Sequence, residues 1–133
     1  MKITKVRMVV MVFIISLAMI LPILVFASSY HSTLSFDSYL EGTSRSYSGN
    51  NITIEMTCSA DQAPDSVYSK YFTTKLYRDH FLIDDYVGSY SSCKRNGSTS
   101  VTWSNVGAAD YYFVFSKAVD GIWVNSDDVY MHN

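Results

Sequence analysis

Two pairs of neighbouring carboxylates, Asp84-Asp85 and Asp127-Asp128, each beside a turn, are the side chains most able to hold a cation. Hard oxygen donors of this kind suit calcium, which makes these four aspartates the candidate metal ligands. Their spacing does not match a D-x-D-x-D-G loop, so solvated turn residues are the simpler reading. His31, His80 and His132 show no H-x-x-x-H spacing for zinc. No G-x-S-x-G elbow marks a nucleophilic serine. A glycosidase would need two carboxylates flanking a cleft, which a chain this short seldom encloses. The expectation is a protein that is not an enzyme and carries no cofactor.

What remains is binding through aromatic side chains, of which eleven are tyrosines and two tryptophans. In the stretch VTWSNVGAADYYFVF, Val101 to Phe115, alternation puts Tyr111, Phe113 and Phe115 on one face and Tyr112 and Val114 on the other. Both faces are apolar, as expected of a central strand in a two-layer sandwich. Trp103, Phe113 and Phe115 are assigned to the core. Tyr112 and Trp123 have the opposite parity from their best core neighbours and are the candidate ligand-binding residues. Exposed rings of this kind stack on sugars and anchor protein interfaces. The plainer alternative is that tyrosine is a good strand former with a tolerated polar tip.

Lys2, Lys5 and Arg7 precede an uncharged apolar run from Met8 to Phe26, and Val25 and Ala27 suit a signal-peptidase cut after Ala27. Residues 1–27 are therefore expected to be a signal peptide and 28–133 a domain that is secreted or associated with the cell wall. The alternative is a retained N-terminal membrane anchor, because the run approaches the roughly 20 residues that span a bilayer. Pro22 would kink such a helix. Beyond Ala27, seven basic and twelve acidic side chains leave a net charge of −5. A chain so charged does not condense on nucleic acid, and attraction to anionic membranes is disfavoured once the signal is removed. Cys58 and Cys93 are the two cysteines. An even pair in an exported chain is expected to form one disulfide.

The frame that positions these residues reads as all-β. Period-two alternation marks Thr33–Leu40, Asn51–Cys58, Lys70–Arg78, Tyr86–Cys93, Thr99–Trp103, Asp110–Ala118, Ile122–Val124 and Val129–Met131. Cys58 shares the inward parity of Ile52, Ile54 and Met56. Asn96-Gly97 and Asp120-Gly121 read as hairpin turns, SADQAPDS around Pro64 as a loop, and DHFLIDD as an irregular turn. The fold expected is a single antiparallel β-sandwich of seven to eight strands, immunoglobulin-like or jelly-roll-like, after an N-terminal signal helix.

The segments TWSNV, DYYFVFSKAVDG and SDDVYM, with KLYR and YVGS before them, resemble a pattern in small secreted all-β proteins of Gram-positive bacteria, most without an assigned function. The resemblance spans Phe72 to Met131 and rests on strand aromatics and turns. It implies export and a β-sandwich and lends no catalytic residue. In a bacterial chain the sequons Asn51-Ile-Thr53 and Asn96-Gly-Ser98 are only polar strand and turn residues. The function expected is that of a monomeric binding module for envelope polysaccharide or a surface protein. An exported antagonistic peptide or small toxin, and a calcium-supported structural module, are the alternatives.

Overall fold

The computed structural model describes residues 27–61 and 70–133. The apolar run that ends at Phe26, and with it the expected signal or anchor, lies outside the described residues, as does most of the loop around Pro64. Among the described residues no helix is long and apolar enough to cross a membrane.

The described chain is all-β, with nine strands: β1 (Ser29–Phe36), β2 (Tyr39–Glu41), β3 (Arg45–Tyr47), β4 (Asn51–Ala60), β5 (Tyr71–Arg78), β6 (Asp85–Lys94), β7 (Gly97–Ser104), β8 (Ala109–Ser116) and β9 (Val124–His132). They form two antiparallel sheets, ordered β1-β9-β4-β7 and β2-β8-β5-β6, with β3 also on β8. The count exceeds the seven or eight expected because Arg45–Tyr47 forms a further short strand and Thr33–Leu40 divides, while Val124–His132 is one strand where two were expected. β2 pairs with Val114–Ser116 and β3 with Ala109–Tyr111, so two short pieces together cover one side of β8. Gly42 bridges the break by donating its N–H to Phe113 O at 2.8 Å. The strand expected over Thr33–Leu40 is likewise two: the chain leaves the first sheet after Phe36 and joins the second at Tyr39.

Both expected hairpins are corrected. β6 and β7 flank Arg95-Asn96 but belong to different sheets, and so do β8 and β9 on either side of Asp120-Gly121. Each turn is an arch that carries the chain across the sandwich. The glycines are needed because both sit in the left-handed region, Gly97 at φ 125° and Gly121 at φ 72°. Such a conformation serves an arch as well as a hairpin. Among the described strands the one consecutive pair that bonds is β5–β6, closed by the DHFLID segment that reads as irregular.

The alternating residues meet between the sheets. Ile52, Ile54 and Met56 of β4 face Phe72 and Leu76 of β5 and Tyr111, Phe113 and Phe115 of β8, all buried. Trp103 joins them at 6% exposure, its ring 5.6 Å from that of Phe113. The aromatic cluster of Val101 to Phe115 is therefore core on one parity. Tyr111, 1% exposed, keeps its hydroxyl satisfied: it donates towards the carbonyls of Val106 and Gly107 and accepts from Arg78 Nη2 at 2.8 Å.

An ion network around the buried Arg95 fastens the two arches to each other. Arg95, 1% exposed, donates from Nε to Tyr71 O at 2.9 Å and from Nη1 to Asp120 Oδ2. Lys117 Nζ reaches the other oxygen of Asp120 at 2.6 Å, and the Ile122 amide donates to that same oxygen at 3.1 Å. Burial pushes the Asp120 carboxyl up, but the hydrogen bonds from Lys117, Arg95 and Ile122 outweigh it and hold the group well below the usual carboxylate range.

Asp120→Asn would leave a buried guanidinium without its carboxylate, and should lower the stability to urea at neutral pH by about 3 kcal/mol. The carboxyl titrates lower in the folded than in the unfolded state, so its contribution is complete above about pH 4 and drains as the pH falls further. The gap between wild type and Asp120→Asn should accordingly narrow below that pH. A gap that stays constant down to pH about 2 would show that the charge is not what stabilises the arches.

Candidate functional site

The outer face of the first sheet carries a polar groove of about 1010 Å³. Strand register builds it. His31 of β1 lies opposite Tyr130 of β9, Tyr130 opposite Glu55 of β4, and Glu55 opposite Ser100 of β7, so one row crosses four strands. The rings stack along the edge of this row, His31 on Tyr130 and Tyr130 on His132, each pair 4.6 Å between centroids. His31 Nδ1 lies 2.7 Å from Asp128 Oδ1 and His132 Nε2 lies 3.9 Å from Glu55 Oε1. Thr57 and Ser98 share a hydroxyl–hydroxyl bond of 2.8 Å on the same face.

A bulge on β9 shapes the groove. Between Val129 and Asn125 this strand spends one residue more than β4 does between Met56 and Ser59, and the same surplus appears against β1. A bulge re-aims side chains. Here Ser126 turns inward, its hydroxyl donating to Asp128 O at 2.9 Å, while Asp127 and Asp128 are both exposed and line the groove. Strict alternation would have sent one of these neighbours inward, so the pair reads from sequence as a turn and emerges as a double display on a strand.

The outer face of the second sheet carries a different surface. Tyr86, Tyr77 and Tyr112 stand in register across β6, β5 and β8. Their rings are 5.5 Å apart for Tyr77–Tyr86 and 5.4 Å for the nearly parallel Tyr77–Tyr112 pair. Tyr112, a candidate from sequence, is half-buried and donates to Asp84 Oδ2 at 2.8 Å. Burial, then the nearby Asp84 carboxylate, pushes its phenol well above the usual range. The His80 backbone N–H, then the Tyr112 hydroxyl, lowers the Asp84 carboxyl in turn.

Trp123, the second candidate, is 45% exposed just before β9, past the far end of the strand that holds Tyr112. The structure does not bring the two rings together. The aspartate pairs are also divided: Asp84 and Asp85 bind His80 through separate atoms on the β5–β6 loop, whereas Asp127 and Asp128 line the groove on the other sheet. Among the described residues no three His, Cys, Asp or Glu side chains gather as a metal cluster. No known protein family matches this chain, and no curated protein matches it.

The expected disulfide is corrected: Cys58 and Cys93 are both buried and unbonded. Parity rightly turns both inward, but Cys58 belongs to β4 of one sheet and Cys93 to β6 of the other. Cys93 lies near enough to raise the Cys58 thiol, yet the two sulfurs are not joined. Cys93 Sγ is instead 3.2 Å from Thr74 Oγ1 on its own sheet. Burial, then the neighbouring Cys93, pushes the Cys58 thiol up to about 11, so neither cysteine is a ready nucleophile. In the folded protein both thiols should resist alkylation at neutral pH, and denaturation without reductant should expose two per chain. Finding none after denaturation would mean that the bridge forms after all.

Proposed function

We propose that this chain is an exported, non-enzymatic binding module that takes envelope polysaccharide in the groove of the first sheet. The observation that carries the reading is the row His31–Tyr130–Glu55–Ser100, in which aromatic rings, carboxylates and hydroxyls cross four strands in one groove. Saccharides present apolar C–H faces and pairs of neighbouring hydroxyls. A carboxylate such as Glu55 or Asp128 accepts two hydrogen bonds from such a pair, and hydroxyls such as those of Thr57, Ser98 and Ser100 donate and accept. A ring at the end of the stack supplies an apolar face. The long cross-strand shape suits several linked sugar units.

The scaffold fits this use. The order β1-β9-β4-β7 over β2-β8-β5-β6 supports a jelly roll, the double Greek key also found in lectin domains, over an immunoglobulin sandwich. The likeness to small secreted proteins of Gram-positive bacteria supports an envelope location for the ligand. Neither Trp123 nor Tyr112 lines the groove, and neither has a part in this reading.

The test is co-sedimentation of the exported protein with purified cell walls and with insoluble polysaccharides. Wild type should bind saturably. Glu55→Gln weakens a charge-assisted bond and should raise the dissociation constant about tenfold without unfolding the domain, and Trp123→Ala should leave binding intact. Loss on Trp123→Ala with Glu55→Gln unaffected would move the site to the β8–β9 arch, and no binding by folded wild type would end the polysaccharide reading.

A further inference from the structure

The β5–β6 hairpin ends in three consecutive large apolar residues turned to solvent. Phe81, Leu82 and Ile83 are 100%, 86% and 80% exposed. A run of this kind works against solubility unless it has a use. Its base is hydrogen-bonded: His80 N donates to Asp84 Oδ1 at 2.9 Å, His80 Nε2 lies 2.9 Å from Asp85 Oδ2, and Tyr112 ties Asp84 to β8. Asp79 N donates to Asp110 O at 2.9 Å, which fixes the other leg. The apolar tip is thus displayed by a fastened base and does not trail from a slack loop.

The surroundings of the tip choose its partner. Tyr77, Tyr86 and Tyr112 form an aromatic row directly beneath it, as amphipathic rings do at the level of lipid headgroups. Asp79, Asp84 and Asp85 make an acidic collar, and no Lys or Arg occurs from Asp79 to Cys93. Arg78 is turned inward onto Tyr111 and Val106. Such a collar repels anionic lipid but complements the outward-facing ammonium groups of a zwitterionic surface. The expectation of no membrane partner rests on repulsion from anionic lipid and does not cover this case.

The geometry points to the Phe81–Ile83 tip as a membrane-docking element that enters a phosphatidylcholine bilayer, with the tyrosine row at headgroup depth and the acidic collar against the choline ammonium groups. The site is separate from the groove of the first sheet and does not depend on it.

Flotation of the exported protein with phosphatidylcholine vesicles tests this, against the same chain carrying Phe81→Ser or Leu82→Ser. Both positions are exposed, so melting should be unchanged, while each substitution should weaken partitioning by about tenfold. Replacing a third of the lipid with phosphatidylglycerol should weaken wild-type binding, and Glu55→Gln should bind vesicles as wild type does. No flotation, equal flotation of wild type and tip variants, or tighter binding to the anionic vesicles would each overturn the proposal. Equal flotation would mean that another part of the chain carries the contact, and absence of flotation would leave the tip to an apolar pocket on a protein.

Discussion

The buried guanidinium of Arg95 sets the geometry on which the two outer faces depend. Two of the arches that cross between the sheets at this end, β6 to β7 and β8 to β9, are joined through Arg95, Asp120 and Lys117. Hydrophobic burial draws the sheets together, but it is non-directional and does not say where along β4 the incoming strands begin. A hydrogen-bonded ion network does, because its bonds are directional and leaving one partner alone in the interior is expensive. It marks where β7 and β9 begin, and the bulge in β9 then brings Tyr130 opposite Glu55. The groove inherits its row from that register.

The two faces answer different chemical demands on one scaffold. On the first sheet the side chains facing out are hydroxyls, carboxylates and imidazoles, which hydrogen-bond across strands and leave capacity for a ligand. On the second a row of tyrosines packs ring against ring next to an apolar tip. Val114, on the outward parity of β8, is nevertheless 6% exposed. The second face is therefore thick with side chains, and its aromatics partly serve stability.

Parity was the most legible feature of the chain. Ile52, Ile54, Met56 and Cys58 all turn inward as alternation predicts, and so do Tyr111, Phe113 and Phe115. What alternation cannot carry is partnership. Asn96-Gly97 and Asp120-Gly121 report a local need for a left-handed backbone, and that need is the same whether the next strand pairs with the last or crosses to the facing sheet. The cysteines fail for a related reason: facing inward is a property of each strand, whereas bonding depends on how a strand of one sheet is set against a strand of the other. The groove was least legible, because its row joins residues up to about a hundred positions apart and its shape rests on a bulge in β9. Asp127 and Asp128 were visible as candidates, whereas Glu55 and His31 entered only through register.

The segment DHFLIDD shows how a local irregularity can be the most informative part of a sequence. Its apolar triplet breaks the alternation on either side, and burial of three such side chains would ordinarily be worth several kcal/mol, on the order of 1.5–3 each. The fold forgoes that gain. It also spends three polar contacts, from His80, Asp84 and Tyr112, on keeping the triplet in one place. Restricting a loop before it meets a partner lowers the entropy lost on contact, so the fastened base favours whatever surface the tip enters. A loop with no role in contact would gain more by folding its apolar residues back onto Tyr77 and Tyr86, which lie exposed or half-exposed beside it.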